Sequence, residues 1–249
     1  MGKAEEYREI LRASPDWLPY LLQESGLPGP RGNLELIQAV ADEGIEQLFL
    51  DYISYSPSEA PTNDPKEFLV CCGAVGLGRL AAEGNLSWLD TLRKMASDPR
   101  WRTREAVAMA LQRLGKVNMP VLLQEMALWS RGNMLEQRAA AAALCEPVLL
   151  KKPSEIEQVL KILDDITALL QEQEDRKSDE FQALRKGLAY CWSVAVAALP
   201  DKGKPMLEKW LVSADRDIRW IMKENLKKNR LVRIDPKWAA EMLMKLETS

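Results

Sequence analysis

The chain has 249 residues, 47% apolar and 29% charged, with 34 basic and 37 acidic side chains and a formal net charge of −3. That balance excludes a disordered, collagen-like or disulfide-dense chain and carries no whole-chain nucleic-acid signature. Histidine is absent, which removes Ser-His-Asp and Cys-His nucleophile pairs, imidazole proton shuttles and every metal site that needs imidazole.

The opening residues, Met1 to Glu6, lack the basic region and apolar core of a signal peptide. From there on, apolar residues recur with a period near 3.6, and the alternation of a strand never persists. Helices are predicted near 4–12, 16–25, 34–54, 66–83, 86–97, 102–115 and 119–130. They continue near 134–150, 154–173, 179–199, 204–213, 216–229 and 236–247. Pro15, Pro99, Pro120, Pro153, Pro205 and Pro236 fall at or just before proposed starts, where a missing N–H costs nothing. Asp98, Ser154 and Asp235 are the expected N-caps at three of them. Two stretches interrupt the pattern: the turn-rich Ser25 to Asn33, and Ser54 to Pro65 with its three prolines. Both read as ordered loops that either contact a ligand or only redirect the chain.

An internal repeat organises these helices. Ala74, Leu77, Arg79, Leu80 and Leu89 recur 34 residues later as Ala108, Leu111, Arg113, Leu114 and Leu123. Arg104, Arg138, Arg185 and Arg219 sit early in their helices at intervals of 34, 47 and 34 residues. A two-helix unit of this length cannot bury its apolar faces alone and must stack on its neighbours. The fold class expected is all-α, a right-handed α-α superhelix (α-solenoid). It is read as a single domain over 1–249, with an N-terminal cap at 1–33, repeats over 34–230 and a C-terminal capping helix over 231–249.

The segment from Leu92 through Asp98-Pro99, Arg104-Glu105-Ala106 and the closing Leu114-Gly115 resembles a HEAT repeat, and Leu207 to Leu226 resembles a weaker copy. The resemblance implies about five helix pairs in this chain, similar to bacterial HEAT-repeat proteins. It also implies that the repeated arginine pairs with an Asp of a neighbouring turn, for which Asp98 and Asp217 are available. The fold hosts many functions, so the family motif specifies architecture.

Chemistry-bearing residues gather in two places. Trp101 lies beside Arg104 and Glu105, and Trp220 lies beside Arg216, Arg219, Lys223, Glu224 and Lys227. Arg–Trp stacking needs no ligand, but the same surface could hold a nucleobase. An aromatic wall four residues from a carboxylate is similar to alkylpurine DNA glycosylases built from HEAT-like repeats, although no catalytic motif of that family aligns. Residues 216–238 carry eight basic and three acidic side chains. On the 216–229 helix, Ile218, Met222 and Asn225 are expected to face the core. Arg216, Arg219 or Trp220, Lys223 and Lys227 are expected to form an exposed basic stripe.

Other features read as structure. Gly73, Gly76 and Gly78 lie in an apolar helix, with neither the preceding strand nor the Lys-Ser/Thr of a phosphate loop. Cys71, Cys72, Cys145 and Cys191 lie in apolar stretches without C-x-x-C spacing, and are expected to be buried thiols in a reducing compartment. The longest uncharged run, Gly187 to Pro200, has 14 residues, short of the about 20 that span a bilayer.

The reading favours a cytoplasmic binding scaffold that mediates protein–protein interaction or regulation through a concave surface, with no cofactor, no metal, no membrane and no assembled catalytic group. The alternative is a nucleic-acid-binding protein of the HEAT-like DNA glycosylase type acting on alkylated bases. An anionic partner, an acidic protein segment or nucleic acid, is assigned to the 216–238 segment.

Overall fold

A computed structural model describes residues 2–248, and among these every regular element is a helix. In chain order they are α1 (Lys3–Ala13), α2 (Leu18–Glu24), α3 (Leu34–Glu43), α4 (Glu46–Ile53), α5 (Pro65–Ala82), α6 (Trp88–Met95) and α7 (Trp101–Val117). There follow α8 (Met119–Trp129), α9 (Met134–Leu144), α10 (Pro153–Gln171), α11 (Asp179–Ala198), α12 (Pro200–Leu211), α13 (Arg216–Leu226), α14 (Asn229–Ile234) and α15 (Pro236–Thr248). Backbone packing groups them into two compact units, residues 1–117 and 118–249. Both have the stacked-helix packing of an α-solenoid.

In the first unit, α1, α3, α5 and α7 pack side by side, and α2, α4 and α6 pack against α5. The middle of α5 therefore has no solvent face, and every residue from Glu67 to Gly78 is buried. A helix buried all round needs small residues where neighbours approach. A Cβ at Gly76 would stand 2.3 Å from the Phe49 ring, and one at Gly78 would stand 2.4 Å from the Ala110 Cα. Close helix packing accounts for these glycines.

Two arginines at the start of α7 hold both turn-rich loops. Arg100 donates to the carbonyls of Tyr55 (3.1 Å) and Ala60 (3.2 Å). Arg102 donates to Gly29 O (2.6 Å), Asn63 Oδ1 (3.2 Å) and the buried Glu67 carboxylate (3.2 Å). Asn63 adopts a left-handed φ of 73° and its side chain accepts from Gly29 N at 2.9 Å, so the loops are also tied to each other.

In the second unit, α8, α10 and α12 form one layer and α9, α11, α13 and α15 the other. Its core includes Trp129, Phe181 and Trp192, and the Trp192 indole donates to Thr167 Oγ1 at 3.0 Å. The buried Asn225 of α13 accepts from Ser193 N (2.7 Å) and donates to Leu188 O (2.9 Å), joining α13 to the backbone of α11.

Several predicted boundaries are corrected. The helix expected over 34–54 breaks at Gly44 and Ile45, both extended, and a Cβ at Gly44 would meet Phe49 at 2.5 Å. The helix expected over 134–150 ends at Leu144, ahead of Pro147. Pro205 lies inside α12, which starts instead at Pro200. Ser154 sits in the first turn of α10, where Lys152 holds the cap position without a side-chain hydrogen bond. The six-residue α14 leaves no mark in the sequence pattern, because its length gives too few apolar positions to show a period. Asp98 and Asp235 do accept backbone N–H groups, from Arg100 (2.7 Å) and Trp238 (3.0 Å).

All four cysteines are free and buried. Burial pushes the Cys71, Cys72 and Cys145 thiols well above their ordinary pKa.

Candidate functional site

The α10–α11 connection and the first turn of α13 enclose a cleft of about 560 Å³ in the second unit. The connection is shaped by Arg176, which donates to the carbonyls of Gln171 (2.8 Å) and Gln173 (2.7 Å). The same guanidinium reaches α13, donating to Asp215 Oδ2 at 2.7 Å and Asp217 Oδ2 at 3.3 Å. Asp215 in turn caps α13 by accepting from the backbone N–H of Asp217 (2.8 Å) and Ile218 (3.2 Å). Burial alone would raise the Asp215 pKa, but Arg176 and the two N–H groups outweigh it and hold the carboxylate below its ordinary value.

On the adjoining wall, the Arg185 guanidinium lies 3.7 Å from the centre of the Trp220 ring and its Nε is 2.9 Å from Asp217 Oδ1. The approach is off the N–H axis, so the buried Nε donates no hydrogen bond. Arg185 is therefore held by an aromatic plane and an ion pair while its hydrogen-bonding capacity is largely unspent. Lys177 and Arg216 complete the basic part of the lining; the Arg216 side chain is 89% exposed and approaches Asp217 only at 4.0 Å. Glu174 and Asp175, both exposed, supply the acidic part.

Two of the sequence-predicted site residues, Arg216 and Trp220, line this cleft. The rest of the expected basic stripe is engaged elsewhere. Arg219 donates to the Leu246 carbonyl of α15, Lys223 pairs with Glu247 at 3.1 Å, and Lys227 pairs with Glu224 at 2.6 Å. Ile218, Met222 and Asn225 are fully buried, on the face expected for them.

In the first unit, Trp101 is 45% exposed and its ring is covered by Arg102 at 4.4 Å. Arg104 donates to the carbonyls of Asp98 (2.7 Å) and Pro99 (3.0 Å), and so closes its own turn. Glu105 lies exposed on the next turn of α7. The two expected Arg–Asp pairings divide: Arg185 pairs with Asp217 of the following helix pair, whereas Asp98 is taken by Arg100 at 2.7 Å.

Reading the sequence misses Arg176, Lys177 and Asp215. The carboxylates around residues 172–175 suggest a solvated helix end, and that reading hides the arginine that follows. The signal within the sequence is that Trp220 adjoins Arg219, the position one 34-residue interval beyond Arg185, which puts the helices of Arg185 and Trp220 in the same layer.

Among the described residues no group of three or more His, Cys, Asp or Glu side chains could hold a metal ion, and no helix is long and apolar enough to cross a membrane. No protein-family model matches the chain, and comparison with curated proteins gives no match. Among solved structures the chain is similar to the crystal structure of an engineered protein, with 17% sequence identity, a TM-score of 0.37, and coverage of 100% of this chain and 98% of that one. A similarity at that level bears on neither the family nor the activity.

Proposed function

We propose that the protein is a HEAT-type helical-repeat scaffold that binds a protein partner through the cleft between the α10–α11 connection and α13. The observation that carries this reading is the state of Arg185: it is held against Trp220 and Asp217, yet among the described residues no hydrogen bond uses its donors, and it faces a cleft of about 560 Å³. Stacked arginine and tryptophan are the side chains most often found as energetic anchors of protein interfaces. The stacked repeats provide a rigid mount for them. Four free thiols fit a reducing, cytoplasmic setting.

The nucleic-acid alternative has less support. Arg219, Lys223 and Lys227 are engaged within the fold, and Glu224, the carboxylate nearest Trp220 in sequence, is paired with Lys227.

The test is partner capture by chemical cross-linking from a nuclease-treated extract. A Lys177→Glu/Arg216→Glu variant reverses two charges at exposed positions and should keep the wild-type circular dichroism while losing the captured protein. Capture of the same protein at the same yield by the variant would remove the cleft from the binding surface.

A further inference from the structure

The charges of the cleft indicate which chemistry it takes. Its lining holds four cations, Arg176, Lys177, Arg185 and Arg216, and three carboxylates, Glu174, Asp175 and Asp217. Arg176 spends four of its five N–H donors on Asp215, Asp217 and two backbone carbonyls. The remaining donors are Lys177, Arg185 and Arg216, set beside the exposed acids Glu174 and Asp175. Such a lining has a small net charge and both signs within one concavity. A polyanion would gain from three cations but meet several fixed carboxylates at close range, an arrangement that costs like-charge repulsion. A single carboxylate needs only one guanidinium fork and a second cation, and leaves the acids free to face a neutral or basic neighbour.

We propose that the cleft binds the carboxylate of a peptide segment, with Arg185 as the hydrogen-bonding fork, Trp220 as the plane that holds that fork in place, and Arg216 as the second cation at the mouth. The proposal rests on the scaffold reading above and specifies what the partner presents. Arg185 is pre-organised for such a ligand. Stacking at 3.7 Å and the ion pair to Asp217 hold the guanidinium in place before the carboxylate arrives, so less side-chain entropy is lost on binding. Its Nη groups make no hydrogen bond among the described residues. A carboxylate can therefore accept from them without displacing an existing partner. The carboxylate can come from an Asp or Glu side chain or from a peptide C-terminus; both present the same two oxygens.

The experiment follows the arginine Nε–Hε and tryptophan Nε1–Hε1 signals of the full chain by ¹H–¹⁵N NMR. Arg185 is assigned by its loss in Arg185→Lys, and Trp220 by its loss in Trp220→Phe. Four probes are titrated: Ac-Ala-Glu-Ala-NH2, Ac-Ala-Gln-Ala-NH2, Ac-Ala-Ala-Ala with a free C-terminus, and pyrophosphate. The expected result is a saturable shift of both signals with one or both carboxylate-bearing peptides, which also identifies the source, and at least tenfold weaker binding of the glutamine peptide. Arg216→Glu, at a position too exposed to threaten the fold, should weaken carboxylate binding at least tenfold. Arg185→Lys, which keeps the charge and loses the fork, should weaken it comparably. Equal shifts with the glutamine peptide, tighter binding of pyrophosphate, indifference to Arg216→Glu, or no saturable shift would each overturn the proposal. If the peptides bind as expected but partner capture is insensitive to the cleft variants, the scaffold reading fails while carboxylate recognition stands.

Discussion

Replacing Asn225 by leucine isolates the contribution of one buried amide. The side chain is fully buried, and leucine has nearly its shape, so the change is chiefly one of hydrogen bonding. In the native protein the amide accepts from Ser193 N and donates to the carbonyls of Leu188 and Ile221. The Ile221 carbonyl keeps its ordinary helix bond to the backbone of residue 225. Ser193 N–H and Leu188 C=O lie inside the continuous α11 and likewise keep their helix bonds, but lose the second partner that α13 supplies. Three buried hydrogen bonds are lost, each worth about 0.5–1.5 kcal/mol, or about 1.5–4.5 kcal/mol together. The added apolar burial returns about 1–2 kcal/mol, and the net loss is about 0.5–2.5 kcal/mol. For a chain of this size that corresponds to a fall in Tm of roughly 1–10 °C. Thermal melting by circular dichroism measures the loss, and native-state hydrogen exchange at the Ser193 amide locates it, because its protection should fall with the missing acceptor. An Asn225→Leu protein that melts with the wild type and still protects Ser193 would show that the α11–α13 amide bridge does not stabilise the unit.

Alanine at Gly76 or Gly78 should destabilise the first unit by about 1–3 kcal/mol in denaturant titrations, because overpacking against Phe49 and Ala110 exceeds the gain in helix propensity; wild-type stability in both variants would contradict the close packing around α5. Glu43 receives hydrogen bonds from Arg12 and Arg8, which hold its pKa below the ordinary value. The tie from α1 to α3 should therefore stabilise above the unfolded-state value of about 4.3 and fade as the pH falls through the lower folded value. Glu43→Gln should accordingly lower Tm at pH 7 and match the wild type at strongly acidic pH, and an equal deficit at both pH values would refute the assignment. With all four thiols buried, the native protein should react with a thiol reagent only at its rate of opening; prompt labelling of any of them under native conditions would show that its burial is incomplete.

The sequence alone determined the all-helical class, the positions of most helices and the inward faces of α13. It did so because these depend on local periodicity, on Pro and Asn/Asp/Ser punctuation and on the apolar stripe, all of which are written within one helix length. It also sufficed to read the glycines of α5 as packing residues and the cysteines as buried, since each sits in a long apolar run. The break at Gly44, the end of α9 at Leu144 and the existence of α14 depended on tertiary packing: Phe49 fills the space at Gly44, and α14 is stabilised by α11, α13 and α15 rather than by its own six residues. The same holds for the candidate site. Arg219, Lys223 and Lys227 form a stripe by helical spacing; the Lys227–Glu224 pair is a local i,i+3 contact, and only the placement of α15 decides that Arg219 and Lys223 are engaged as well. Arg185 and Trp220 are 35 residues apart, and their contact exists because α11 and α13 pack side by side in one layer. Which cations keep unspent donors is a balance over every neighbour in space, and sequence distance carries no record of it.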